Sequence, residues 1–185
     1  MSVPAALKFT YEDYCLLPED QRYEVVDGEP LLTPAPTTFH QIVKGRLRRI
    51  LEDFTDARHL GTVLDAPCDV VLSKYDVLQP DILFVSTERR PIIGEKYVSP
   101  APDLVIEVLS PSTETRDRTA KAKRYALFGV REMWLADPDA KTIEVFVNSA
   151  EGFRLAALYG EADSARSATV LPGLEFPVAP VFRPL

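Results

Sequence analysis

Apolar positions along this chain change period several times, and each change marks an element. From Thr37 or Thr38 to about Phe54, the residues Phe39, Ile42, Val43, Leu47, Ile50, Leu51 and Phe54 recur three or four apart. That spacing predicts an amphipathic helix. Upstream, TYEDYCLLPED opens with Thr10 as an N-cap candidate and an acid three residues later at Asp13, and Pro18 closes a short helix. RYEVVDGEPLLTPAP then holds two short apolar runs joined by Asp27-Gly28, which predicts a hairpin.

Between Gly61 and Ser86 the pattern shortens to β-type runs, GTVLDAPCDVVLS and VLQPDILFVS, split by a polar turn around Ser73 to Asp76. PDLVIEVLS is almost continuously apolar, as expected of a strand covered on both faces. A helix capped by Ser112 or Thr113 runs through ETRDRTAKAKRYALF and stops at Gly129, a residue suited to the C′ position. REMWLADP reads as a strand ended by Asp137-Pro138, and KTIEVFVNS with GFRLAALYG as a further hairpin. The order strand, helix, strand around Glu107 predicts an α/β crossover at the centre of a mixed, α+β sheet with helices packed on it. The apolar, proline-rich LPGLEFPVAPVF is expected to cover a sheet edge, in its own subunit or in a neighbour's.

A chain of 185 residues fits one domain spanning 1–185. No stretch approaches the roughly 18 consecutive apolar residues of a membrane helix, and MSVPAALKFTYEDY has neither a basic start nor an apolar signal core. The expectation is a cytoplasmic protein that does not enter a membrane. Cys15 and Cys68 are too few and too far apart for a disulfide framework or zinc ribbon. His40 and His59 are equally isolated, so they read as surface or helix-face side chains rather than a histidine metal cluster. A net charge of −7 excludes a globally basic nucleic-acid binder. Basic residues nevertheless cluster in VKGRLRR and RDRTAKAKR, each of which is either a local binding face or a solvated helix face.

The candidate chemistry begins with Glu107. Strand alternation puts it on the face of Val105 and Asp103, opposite Leu104, Ile106 and Val108. A buried ionised carboxylate is costly unless it is paired or holds a metal. Asp81, at the mouth of a neighbouring strand in QPDILFVS, can bring a second carboxylate beside it. Two acids at short range favour a bound cation, and oxygen donors suit Mg²⁺, with Mn²⁺ as a substitute. Such a site suits phosphodiester hydrolysis, with a lysine orienting water or stabilising charge. Lys121 and Lys123 follow on the next helix but cannot share one face; Lys121 lies on the stripe of Tyr125, and Lys123 is the alternative. The competing structural reading makes Asp81 and Asp103 turn or strand-edge acids and Glu107 the partner of a helix Lys or Arg in a buried salt bridge.

The set RYEVVDGE, QPDILFVS, PDLVIEVLSPST and DRTAKAKRYALFGVREMWLADP resembles the Uma-two family of restriction-endonuclease-like proteins in the PD-(D/E)XK nuclease superfamily, over roughly residues 8 to 178. The resemblance is most specific at Asp117, Lys121, Tyr125, Gly129, Val130, Glu132, Trp134 and Asp137-Pro138. It implies a restriction-endonuclease-like core, a central sheet flanked by helices. Asp81 takes the place of the superfamily's first aspartate and Glu107 that of the acid in its Asp/Glu-x-Lys element, and both are the implied metal ligands. Position 109 is Leu109, so the strand lysine is absent and the resemblance points to Lys121 on the following helix. Glu24 matches a recurring family acid, an additional ligand or water-orienting group. Thr119 and Ala120 stand where many relatives have Gly-Glu, which removes no implied ligand. The expected function is a Mg²⁺-dependent endonuclease acting on DNA as a homodimer. The alternative is a catalytically silent nucleic-acid-binding or accessory module with the same fold.

Overall fold

A computed structural model describes residues 7–18 and 21–184 of the chain. The first six residues, read above for a leader, together with Glu19, Asp20 and Leu185, lie outside them. Thr10 caps α1 (Tyr11–Tyr14) reciprocally with Asp13, as a capping box requires. The Asp27-Gly28 hairpin joins β1 (Tyr23–Val26) to β2 (Glu29–Leu32), and both turn residues have left-handed φ, 51° and 80°. Gly28 is also required sterically, because a Cβ there would stand 2.6 Å from Lys8 Cβ. The apolar three-four stripe becomes α2 (Thr38–Asp56), with Thr37 accepting a hydrogen bond from the His40 N–H at its start.

Strands divide between two sheets. The six-stranded one is built from β3 (Gly61–Asp65), β6 (Ile82–Ser86), β8 (Leu104–Val108), β9 (Glu132–Asp137), β10 (Thr142–Ser149) and β11 (Gly152–Tyr159), in the order β11-β10-β9-β8-β6-β3. The five-stranded one adds β4 (Asp69–Ser73), β5 (Asp76–Leu78) and β7 (Tyr97–Val98) to the first hairpin, in the order β2-β1-β5-β4-β7. The mixed α/β architecture is the one expected, and the predicted crossover is present: β8 pairs antiparallel with β6 and parallel with β9. Between β8 and β9 the chain is helical from α3 (Glu114–Arg116) through a π-helical turn (Asp117–Lys121) to α4 (Ala122–Leu127), and it ends at Gly129 with φ 87°.

The six-stranded sheet is covered on both faces, which accounts for the continuous apolar run of β8. On one face, Leu104, Ile106 and Val108 pack with Val43, Leu47 and Leu51 of α2. The chain's last elements, β12 (Ser164–Arg166), β13 (Glu175–Pro177) and α5 (Ala179–Phe182), add Phe176, Val181 and Phe182 to that face. LPGLEFPVAPVF therefore covers a sheet face of its own chain, where a sheet edge had been expected. On the other face, Val105, Leu109, Met133 and Leu135 meet Val26, Val70 and Leu78 of the five-stranded sheet and Tyr125 of α4. Glu107 belongs to this second face, as alternation with Val105 requires.

Two buried acids lock the scaffold without lining the candidate site. Glu132 accepts from Trp134 Nε1 at 2.7 Å and from the N–H groups of Ala168, Thr169 and Val170, pinning the 168–170 loop to β9. Asp103, fully buried just before β8, accepts from the Ser86 N–H at 2.8 Å and from Arg89 at 3.0 Å. Burial opposes its charge, but those donors outweigh burial and hold the carboxyl below its ordinary value. The folded state thus binds this proton more weakly than the unfolded chain. The associated stability is present above about pH 4 and is lost as pH falls through the depressed value. Asp103→Asn should cost about 2 kcal/mol in urea unfolding at pH 7 and flatten the acid limb of the stability profile; an unchanged acid limb would remove Asp103 from this role.

Candidate active site

The paired strands β6 and β8 bring the two predicted acids together. Their register matches Ile82 with Ile106, so one step further Asp81 stands opposite Glu107 on the same face of the sheet. Asp81 is held at the strand mouth by its own backbone and side chain: its carbonyl accepts from the Ala66 N–H at 3.1 Å, and Oδ2 accepts from the Val108 N–H at 2.8 Å. His40 Nε2, from the first turn of α2, stands 3.2 Å from the same Oδ2. The side chain of Asp81 is 18% exposed.

Glu107 is buried, and its Oε1 accepts from the Tyr125 hydroxyl at 2.8 Å and meets Lys121 Nζ at 2.6 Å. Lys121 also lies 3.0 Å from Glu24 Oε1 and 3.5 Å from Asp117 Oδ1. Glu24, on β1, accepts from the Gln79 N–H at 2.8 Å, which ties the hairpin to the residue two before Asp81. Lys121 and Tyr125 share the predicted stripe, and both reach Glu107. Lys123 points elsewhere, exposed along a different cavity, so of the two helix lysines only Lys121 reaches the acids.

Three carboxylates around one ammonium leave an excess of negative charge in a dry setting. Burial pushes the Glu107 carboxyl up to about 8 despite the pull of Lys121, with Asp117, Asp81 and Glu24 adding repulsion. Burial raises Asp117 as well. For Lys121, burial opposes the ammonium, but attraction to Glu107, Glu24 and Asp117 outweighs it and holds the group charged well above an ordinary lysine. The Tyr125 phenol is likewise raised by burial and by Glu107, so it stays a hydrogen-bond donor.

These groups line a cavity of about 220 Å³, closed by Arg22, the 33–37 segment, His40, Lys44 and Arg116. A larger cavity of about 610 Å³ lies between α4 and the β10–β11 end of the sheet, lined by Leu127, Phe146 and Phe153, but it has no pair of facing acids. Facing acids beside a buried lysine occur in the smaller one. Glu24, Asp81, Glu107 and Lys121 all face it, whereas Asp103 does not. His40 and Asp117 join them although the sequence marked neither as a site residue. His40 does fall on the buried stripe with Val43 and Leu47, the one signal that could have separated it from the exposed His59. Among the described residues no group of three or more His, Cys, Asp or Glu side chains has the arrangement of a metal cluster. The donor set does fit a hard cation that takes one or two carboxylates and keeps several waters. Asp81 Oδ1 and Glu107 Oε2 accept no hydrogen bond from any described residue, while the second oxygen of each is fixed.

Comparison with known proteins agrees with this architecture. In solved structures the fold is similar to a protein titled "a putative nuclease belonging to DUF820 from Anabaena variabilis ATCC 29413", with a TM-score of 0.78 over 94% of this chain and 97% of that one. At 18% identity the likeness is one of fold. No protein of curated function matches the chain. The Uma2 family model, described as "Putative restriction endonuclease", matches residues 10–179, a span that includes Glu24, His40, Asp81, Glu107 and Lys121, and the chain belongs to that family.

Proposed function

We propose that this protein is a divalent-metal-dependent endonuclease that hydrolyses phosphodiester bonds in DNA, with Asp81, Glu107 and Lys121 as its reacting centre and Glu24 in support. The observation that carries the reading is the pair of facing carboxylates at the mouth of β6 and β8, each with one oxygen fixed by the protein and one left free. Family membership supports it. Asp81 and Glu107 would hold Mg²⁺, or Mn²⁺ in its place, and such a cation polarises a phosphoryl oxygen and lowers the pKa of its bound water.

The chain's own residues do the rest. The Val108 N–H and His40 orient Asp81, and the Tyr125 hydroxyl orients Glu107. Lys121 is delivered to the centre as a fully charged donor that can orient the attacking water or stabilise charge building on the phosphate. Glu24 holds that ammonium from the opposite side. Cutting both strands of a duplex with one centre per chain is simplest for a two-fold homodimer, the assembly we assign to this function. No helix among the described residues is long and apolar enough to cross a membrane.

A second reading, a silent DNA-binding module with the same fold, draws on one observation: the 2.6 Å contact of Lys121 with Glu107 already compensates the buried acid without any cation. Plasmid assays separate the two. The nuclease should nick supercoiled DNA in Mg²⁺ or Mn²⁺, EDTA should abolish nicking, and Asp81→Ala should lower it at least about 100-fold with little change in melting temperature. Wild-type protein that binds DNA but cleaves none in either metal would establish the silent module. Lys121→Met should remove cleavage and also cost about 3–5 kcal/mol, because it strands three acids without their cation. Lys123→Ala should change neither quantity; a loss of cleavage there would reassign the lysine. Glu24→Gln should reduce cleavage about tenfold in the same assay, and an unchanged rate would confine Glu24 to packing.

A further inference from the structure

Three buried side-chain atoms have no hydrogen-bond partner among the described residues: Thr33 Oγ1, His40 Nδ1 and Arg116 Nε. All three residues line the candidate active-site cavity. Buried polar groups are normally partnered, so this concentration marks a wall with hydrogen-bonding capacity left over for a ligand. His40 is already engaged with Asp81 through its other nitrogen. Arg116 and Thr33 are not engaged in the centre's chemistry.

Arg116 stands apart from the other arginines. Its side chain is 18% exposed, and its one charged contact is Nη2 to Glu24 Oε2 at 3.5 Å. Arg22, Arg46, Arg48, Arg89, Arg118 and Arg124, also partly buried, each donate at least one hydrogen bond of 3.1 Å or less within the chain. Arg118 and Arg124, on the same helical stretch, are committed to Glu144 and Asp76 through two hydrogen bonds each. Among the described residues Arg116 is the one partly buried guanidinium with its donors uncommitted.

Backbone geometry explains how it reaches the cavity. In an α-helix, residues five apart point about 140° away from each other around the axis. Here the Ala122 N–H reaches back to the Asp117 carbonyl, five residues earlier, so the widened turn carries Arg116 and Lys121 to the same side. Both then approach Glu24, Lys121 at Oε1 and Arg116 at Oε2. A planar fork of five donors is thereby set beside the reacting centre, the geometry that suits phosphate oxygens.

We infer that Arg116 binds a backbone phosphate of the DNA strand adjacent to the phosphate that is cleaved, with the Thr33 hydroxyl as a second donor; this rests on the nuclease reading above and deepens it. Approach of that phosphate draws the guanidinium off its long contact with Glu24. Lys121 is then the one cation left on Glu24, beside the Gln79 N–H, so occupancy of the phosphate site tightens the hold on the lysine of the reacting centre.

The test is equilibrium binding of a fluorescein-labelled 16-base-pair duplex by anisotropy over a salt series, in EDTA and in Ca²⁺, with wild type, Arg116→Ala and Arg116→Lys. Arg116→Ala should bind about tenfold more weakly and lower the slope of log K against log salt by about one. Arg116→Lys should recover the slope and only part of the affinity, since it keeps the charge and loses the fork. Wild-type binding matched by Arg116→Ala in affinity and slope overturns the inference and leaves the nuclease reading standing. Wild type that binds no duplex in either buffer and nicks no plasmid in Mg²⁺ or Mn²⁺ overturns both. If Arg116→Ala does not fold, Arg116→Lys decides: weaker binding at unchanged slope supports the fork, and unchanged affinity sinks it.

Discussion

One buried ammonium organises the centre of this protein. Lys121 draws Glu24 from the first hairpin, Glu107 from the middle of the six-stranded sheet and Asp117 from its own helical turn into a single cluster. None of these acids is tolerable at that depth alone, because desolvation of each charge costs several kcal/mol. Their shared cation makes the cluster possible, and the cluster in turn fastens the five-stranded sheet to the crossover helix. Removing Lys121 would leave acids from both sheets and from the π turn without their shared cation. The centre and the scaffold are therefore stabilised by the same contacts.

Two Pro-Asp pairs show how alike local sequence ends in different roles. Pro80-Asp81 and Pro102-Asp103 each precede a buried strand. Asp103 is enclosed by Ser86 and Arg89, with every part of its carboxylate buried, and it fixes the β6 end to the β8 start. Asp81 sits where the strands open towards the cavity, and it keeps one oxygen free. The dipeptide specifies a strand mouth in both cases. Which end of the paired strands the mouth occupies decides between a structural acid and a candidate ligand.

Local elements were the most legible part of the chain. Hydrophobic period marked α2 almost to the residue, Asp27-Gly28 marked the first hairpin, and Gly129 marked the end of the crossover helix, because each follows from near-neighbour backbone preferences. Glu107 stood out for the same reason, as a charge inside an apolar run. Long-range arrangement was less legible. GTVLDAPCDVVLS reads as one β-rich stretch, yet β3 and β4 enter different sheets, a division set by pairing partners far away in sequence. The π turn left no periodic signal, since one extra residue in a short helix is smaller than the pattern's tolerance. Arg116 was marked only as part of a basic cluster and His40 only as a helix-face side chain, because what each meets depends on what the fold sets opposite it, not on its neighbours in the chain.

The walls of the small cavity come from β1, the start of α2, the β6 and β8 mouths and the π turn. Its side chains are thus drawn from a span of about a hundred residues, from Arg22 to Lys121. Such a centre has high contact order and cannot assemble piecemeal. The cavity therefore exists only where the first hairpin, the start of α2 and the crossover helix are all in place, and a shift in any one of them changes which groups face its interior.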